Sequence, residues 1–546
     1  MKQKHAPKKF KFNSFLEIGS PDAETDVLLQ KAFIEKDALR ALLDMSNQRS
    51  ILIGRTGSGK SAILKHIELT QEKVCRIEPE AMSLRFLSNS TMLDYFRQIE
   101  VNLSFFYKIL WKHVFIIELL RLNLSYDTQK KENWFITVKE KLLLKKNNPR
   151  RIKALDYFDK WGKEFWLDTE KRVKEIENVV HNRFEAEVGA SIPALKAKLN
   201  TNSDNKDTIK TEIKNKAEHV ISETLANDIH EIINILNEEI FIDNQQKHFI
   251  LIDDLDKEWI PSSIRYELIG AMIEVIKEFQ IFRGVKIIIS LRDNLYQLIF
   301  AGAKHQGGQR EKFKPLYVPL TWTKIELQEF LNRRLYLITE HTLDIKTAFD
   351  KKYDNSSGFD YMLERTFYRP RDIISYVNHL IESSVNKSYF SYDIIKKAEV
   401  GYSIDRLQAI EDEWGENYGE INQIFKWLYG KYNGFNLKNI KEDEFASILF
   451  DDNTKQIFKG ELLETIVKWQ KDQIRFPEFL KNIVFLLFNF GIIGIKKGPT
   501  FHVQFFYDVE STLIINDIND ECKIYVHKAF YSSLKIITKE LEQNQF

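Results

Sequence analysis

Ser50-Ile51-Leu52-Ile53-Gly54-Arg55-Thr56-Gly57-Ser58-Gly59-Lys60-Ser61-Ala62 carries an apolar run straight into a glycine-rich turn. Its flanks predict a buried strand over 50–53 and a helix that starts near Lys60 and runs through Ile67. Gly54, Gly59, Lys60 and Ser61 fill every fixed position of G-x-x-x-x-G-K-[ST], and Gly57 adds a third glycine, a spacing in which glycines let the backbone curl until its N–H groups point at one spot. The positive end of the following helix strengthens that field. Such a loop cradles phosphate: residues 54–62 surround the anion, Lys60 reaches the β- and γ-phosphates of ATP, and the Ser61 hydroxyl takes one position on Mg2+.

A phosphate loop of this kind needs an acid on a neighbouring strand, and Phe249-Ile250-Leu251-Ile252-Asp253 supplies one. The apolar run predicts a buried strand that delivers Asp253 at its C-terminal edge, where it holds Mg2+ opposite Ser61. Asp254 is then placed to orient or deprotonate the attacking water, with Asp256 and Glu258 as lower-ranked bases. Aspartate is shorter than the glutamate common at this position, so slow turnover is expected. A third apolar strand, Val285 to Arg292, ends in Ser290, Arg292 and Asp293, candidates to face the γ-phosphate. The loop Gly302 to Lys314 contains Arg310, a candidate arginine finger for a neighbouring subunit, and Leu316 to Leu320 reads as a further strand.

The chain has 546 residues, enough for two or three domains, and its 80 basic and 79 acidic residues nearly cancel,. That balance argues against a global attraction to nucleic acid. Cys75 and Cys522 stand far apart without metal-ligand spacing, which suits a reducing cytoplasm,. The basic N-terminus lacks the apolar run of a signal peptide. Val101 to Leu124 is broken by Lys108, Lys112, Glu118 and Arg121, and Ile483 to Ile495 is too short, so no membrane span is expected,.

Upstream of the loop, Gly19-Ser20-Pro21-Asp22-Ala23-Glu24 is a turn, with a helix expected from Ser20 toward Leu43,. Downstream, Lys73 to Ile77 reads as a second strand, and the next strong strand begins only at Lys247. Most of the chain between is therefore an insertion, helical by its periodicity. Its aromatics, Tyr95, Phe96, Phe105, Phe106, Tyr107, Trp111 and Phe115, are read as a helical core,. Lys139 to Lys153 concentrates basic residues around Pro149, Asn200 to Lys206 is a polar turn, and Ile209 to Leu236 forms a long amphipathic helix,. Thr323 to Ile338 is a helix packing Leu327, Phe330, Leu331 and Leu335. Another begins at Pro370, with Arg369 and Arg371 at its start as candidate phosphate contacts,.

Taken in order, Gly54 to Ser61, Ile252-Asp253-Asp254-Leu255-Asp256, Ser290-Leu291-Arg292 and Arg369-Pro370-Arg371 resemble the STAND, KAP and AAA+-like branch of P-loop ATPases. They are most similar to bacterial orphan members with a Gly-Ser-Pro-Asp-Ala-Glu stretch upstream. The resemblance reaches from about Phe15 to Leu380. It implies an α/β fold with a five-stranded parallel core, ATP as ligand, self-association and a place in antiphage defence or signalling. It leaves either Arg369 or Arg371 as the phosphate contact.

After about Ser403 no catalytic constellation is seen. A helix from Phe479 to Phe490, then strands at Ile492 to Ile495, His502 to Tyr507 and Lys523 to His527, suggest a winged-helix-like module,. Acidic residues around it favour a protein partner over DNA. The expected divisions are 1–80 and 247–322 for the two halves of the core, 81–246 for the insertion, 323–402 for a helical lid and 403–546 for the C-terminal domain. The expected function is a cytoplasmic, Mg2+- and ATP-dependent switch whose lid closes on nucleotide, with Lys60, Asp254, Arg292 and Arg371 carrying catalysis. The alternative is a DNA-dependent ATPase or loader.

Overall fold

The computed structural model describes residues 10–82, 90–124, 149–161, 165–201, 206–243, 245–257, 259–293, 295, 299, 310–349, 357–449, 457–508 and 513–538. The basic stretch before Pro149, part of the Asn200 to Lys206 turn, Glu258, residues 301–309 and the side chain of Arg310 lie outside the described residues. The chain divides into two compact units, one of residues 35–321 and one that joins the N-terminal segment, up to Ile34, to residues 322–546.

The unit of residues 35–321 is built on a five-stranded parallel sheet. Its strands are β1 (Ile51–Ile53), β2 (Val74–Ile77), β3 (His248–Ile252), β4 (Val285–Leu291) and β5 (Tyr317–Pro319), in the order β2-β3-β4-β1-β5. All five fall inside the stretches expected to be strands. Every residue of β3 and β4 is buried, which explains why both read as continuous apolar runs and not as alternating ones,. Val74 pairs with Phe249 in register, about 175 residues away, so the helical insertion opens between two adjacent strands.

Helices α1 (Asp37–Leu43) and α2 (Lys60–Thr70) flank β1. The insertion supplies α3 (Thr91–Gln98), α4 (Ser104–Leu124), α5 (Pro149–Trp161), α6 (Phe165–Val188), α7 (Ile192–Thr201) and α8 (Lys206–Ile235), and α9 (Ser262–Glu278) follows β3. Trp111 of α4 donates its indole N–H to the Leu268 carbonyl of α9 at 2.8 Å, and Lys112 pairs with Glu278 at 2.6 Å. Tyr95, Phe96, Phe106, Tyr107, Trp111 and Phe115 are buried in one apolar core with β3, β4 and α9. These aromatics are packing, as their helical spacing indicates. No helix among the described residues is long and apolar enough to cross a membrane. The unit begins and ends at one place: Lys36 Nζ donates to the Thr321 carbonyl at 2.8 Å.

In the other unit, α10 (Lys324–Ile338) starts at a reciprocal cap between Thr323 and Glu326, and Leu327, Phe330, Leu331 and Leu335 are all buried as expected,. Helix α11 (Pro370–Ser383) has Pro370 in its first turn, and α12 (Tyr392–Tyr418) packs beside it. Farther on come α13 (Gly460–Gln470), α14 (Phe476–Asn489) and a small antiparallel sheet of β6 (Gly434–Asn436), β7 (Ile493–Lys496) and β8 (Lys523–Val526), in the order β6-β8-β7.

Two sequence expectations are corrected. The stretch from Ser20 forms turns, and helix is confined to Asp37–Leu43. Long-range partners decide this. The Arg334 guanidinium reaches Asp26 Oδ2 at 2.5 Å and the Ile18 carbonyl at 2.7 Å, and Gly19, at φ +128°, lies where a Cβ would meet Arg334 at 2.1 Å. His502 to Tyr507 is not a strand either. It makes one bridge, Gln504 to Ile495, and its alternating aromatics pack instead on His527, with Phe505 at 5.0 Å between ring centres.

Candidate functional site

Position in the sheet brings the predicted residues of the first unit together. In a parallel sheet the C-terminal strand ends share one edge, and β1, β3 and β4 end there in Gly54, Asp253 and Arg292,. Gly54 is fixed as glycine by crowding, because a Cβ would meet Ser58 Oγ at 2.7 Å and the Leu320 carbonyl at 3.2 Å. Gly57 and Gly59 adopt φ +78° and +95°, the left-handed region that glycine enters without penalty,. The loop Arg55, Thr56, Gly57, Ser58, Gly59 then turns into α2, whose first residues are Lys60, Ser61 and Ala62.

Lys60 is buried, and its Nζ folds back to donate to the carbonyls of Gly54 at 2.8 Å and Arg55 at 3.0 Å. Burial, followed by the charge of Arg292, pushes its pKa down to about 8, while Asp293, Asp253 and Asp256 pull in the opposite direction. An ammonium carries three N–H groups, and only two are used by the described residues. A glycine loop, a helix N-terminus and an ammonium with a spare donor make a place suited to an anion.

Asp253 is 5% exposed. Its Oδ1 accepts the Ser290 hydroxyl, and its Oδ2 lies 3.7 Å from Arg76 with no hydrogen-bond partner. A buried carboxylate oxygen left in this state is a fit acceptor for a hard cation or its water. Among the described residues no three His, Cys, Asp or Glu side chains gather to hold a metal by themselves. An ion here would depend on Asp253, Ser61, water and the ligand's own oxygens.

Asp254 adopts φ +58°, an uncommon state for a residue with a Cβ that aspartate tolerates better than most,. Burial raises its pKa against the opposing hydrogen bond of Lys257, whose Nζ lies 3.0 Å away. Arg292 Nη2 lies 2.5 Å from Asp256 Oδ2. The loop after β3 is braced by buried Arg265, whose Nη1 donates to the carbonyls of Asp256 at 3.2 Å and Lys257 at 2.8 Å. Arg76, Lys257 and Arg265 were not singled out from the sequence. Lys257 stands one turn past Asp254, a signal that was available; Arg76 and Arg265 are placed by strand pairing and by α9.

Arg369 and Arg371 belong to the other unit. Arg369 is buried at the start of α11, with Nε 2.8 Å from Asp372 Oδ2, and Arg406 approaches the same carboxylate at 3.3 Å. Burial alone would raise the Asp372 pKa, but the two guanidinium groups hold it down at about 2. Arg371, two residues on, is partly exposed and donates from Nε to the Pro21 carbonyl at 3.3 Å. The described part of the basic stretch is matched by acids: Arg150 lies 2.7 Å from Glu238, Arg151 3.7 Å from Glu239 and Lys153 2.5 Å from Glu231.

Two comparisons bear on the chain. Residues 325–411, covering most of α10 through the greater part of α12, match the family described as FunZ-associated C-terminal helical domain. Over 549 aligned positions the chain is 22% identical to the "Putative transposon gamma-delta 80.3 kDa protein" of Escherichia coli (strain K12), covering 95% of this chain and 67% of that one.

Proposed function

We propose that the unit of residues 35–321 is a P-loop ATPase core that binds ATP with Mg2+, hydrolyses it slowly and acts as a nucleotide-dependent switch. The observation that carries this reading is the meeting, on one sheet edge, of a buried lysine and a buried aspartate that have, among the described residues, an unused donor and an unused acceptor. The strand order β2-β3-β4-β1-β5, with the glycine loop after β1, supports it.

In this reading the loop amides from Gly54 to Ala62 and the ammonium of Lys60 hold the phosphates, and Ser61 with Asp253 would hold Mg2+. The ion, when bound, neutralises charge building on the phosphate oxygens. Asp254 accepts a hydrogen bond from the attacking water and orients it, and its raised pKa suits a residue that must take up a proton,. Arg292 lies near enough to Lys60 to weaken its hold on a proton, and so faces the same charge. Residues 323–402 are read as the helical lid of this fold type, and the helices and sheet near the C-terminus as a winged-helix-like protein-contact module.

The test is ATP binding and hydrolysis by wild type, Lys60→Ala and Asp254→Asn, with solution mass measured with and without ATP. Binding by wild type and Asp254→Asn, hydrolysis by wild type alone and neither by Lys60→Ala is the expected pattern. ATP affinity indifferent to Lys60 overturns the reading. A change of mass on adding ATP is expected if the switch works through self-association.

A second reading, a DNA-dependent ATPase, is favoured by the transposon in the name of the relative aligned over most of the chain. The pairing of Arg150, Arg151 and Lys153 with acids weighs against their serving as a bare phosphate-binding patch. Many-fold stimulation by duplex DNA, steeply lost with salt, would establish the DNA-dependent reading.

A further inference from the structure

We infer that Asp256 is the positioning residue for Arg292, holding its guanidinium for the terminal phosphate of a nucleoside triphosphate. This deepens the nucleotide reading above and rests on it. The contact is one-sided: Arg292 Nη2 lies 2.5 Å from Asp256 Oδ2, while its Nε and Nη1 have no acceptor among the described residues. A guanidinium offers a fork of donors in fixed relative geometry, so a carboxylate on one tip orients the others without consuming them.

Of the two partners, Asp256 is the braced one. Its carbonyl and that of Lys257 both accept from Arg265, which is 4% exposed and anchored on α9. The Trp259 indole closes the same turn by donating to the Leu255 carbonyl at 3.1 Å. Arg292 begins one residue past the end of β4, with its side chain 30% exposed. The pair therefore ties the end of β4 to a fixed point beyond β3, across two strands that run side by side.

Electrostatics give the tie a purpose. Arg292 and Lys60 are two cations close enough to disfavour each other, and Asp256 is among the acids that offset the repulsion. A free arginine here would swing toward solvent; an arginine held by Asp256 stays beside Lys60. Asp256 thus acts through Arg292, whose guanidinium engages its Oδ2. A diphosphate, lacking the outermost group, would not sense the pair.

The experiment is equilibrium binding of ADP and of ATPγS, each with Mg2+, to wild type, Asp256→Asn, Arg292→Lys, Arg292→Ala and the double variant Asp256→Asn/Arg292→Ala, with Lys60→Ala as control. Asp256→Asn is expected to lower ATPγS affinity about tenfold, the scale of one charge-assisted hydrogen bond, and to leave ADP within about twofold. Arg292→Lys keeps the charge without the fork and should fall in the same direction. The double variant should bind ATPγS no more weakly than Arg292→Ala, because Asp256 acts only through the arginine. An unchanged ATPγS-to-ADP ratio in Asp256→Asn overturns the inference, as does an equal loss of both nucleotides with a lower melting temperature. So does a higher ratio, which would make Asp256 a restraint on Arg292. Wild type whose nucleotide binding does not depend on Lys60 overturns the nucleotide reading itself, a result distinct from each of these.

Discussion

Lys60 and Lys286 are the same residue type, buried in the same five-stranded unit, and burial is the main cause that pushes each ammonium down to about 8. They differ in how the chain answers them. Lys286, near the start of β4, donates to the carbonyls of Ala41 at 3.0 Å, Asp44 at 2.6 Å and Asn47 at 3.0 Å, so all three of its N–H groups are used on the last turn of α1 and the residues just after it. Among the described residues, Lys60, beyond the end of β1, has two such carbonyls and one N–H to spare. A buried charge that the fold completes is architecture. One left a single bond short is poised for something that is not part of the chain.

The contrast is sharpest if each lysine is removed. Lys286→Met strands three carbonyls and should cost about 2–4 kcal/mol of stability in urea unfolding, with the nucleotide affinity of the folded protein unchanged. Lys60→Met should do the reverse: a fall of about 30- to 100-fold in ADP and ATPγS affinity, or about 2–3 kcal/mol, with melting temperature level or higher. Equal destabilisation by both substitutions would break the comparison.

Proton linkage separates the two lysines again, at smaller scale. Lys60 binds phosphate only as the ammonium, and its pKa in the ligand-free fold is about 8, so affinity is fully present below that value and is lost as pH rises through it,. Between pH 7 and 9 the loss should approach about tenfold. The Lys286→Met background should show the same profile, since that residue is remote from the loop. The smallest effect concerns backbone strain. Asp254→Gly relieves φ +58° and should raise stability by about 0.5–1 kcal/mol while abolishing hydrolysis,. A loss of stability there would mean that the Lys257 pairing outweighs the strain.

Much of the parallel sheet could be read in advance, because strands buried on both faces must be apolar throughout and Phe249 to Ile252 has no other use for four such residues in a row,. The glycine loop was legible for a similar reason: few functions require Gly54, Gly59, Lys60 and Ser61 at that spacing,. What could not be read depends on partners distant in sequence. Lys286 interrupts an apolar run, and nothing local says that it caps the turn after α1. Asp26 sits in a stretch with a helical start signal, yet it is committed to Arg334, 308 residues away. Asp256 looked like a spare base beside Asp254, and only the turn braced by Arg265 shows it meeting Arg292. Arg369 and Arg371 looked interchangeable; one of them is buried against Asp372 of α11, which Arg406 of α12 also approaches, while the other stays partly exposed.

Because Lys36 and Thr321 meet, the sheet-bearing unit is a closed excursion from the other one, and this fixes an order of events during synthesis. The Ile18 amide waits for its partner Asn378, which is made 360 residues later. At ordinary elongation rates of about 5–20 residues per second that is an interval of about 20–70 s. Before it ends the excursion has all of its own strands in hand and is free to fold, while Phe12 and Ile18, both destined for the core of the other unit, stand without cover. These two residues thus leave the ribosome long before they find their place, and for that interval they are natural clients for a chaperone that holds apolar segments.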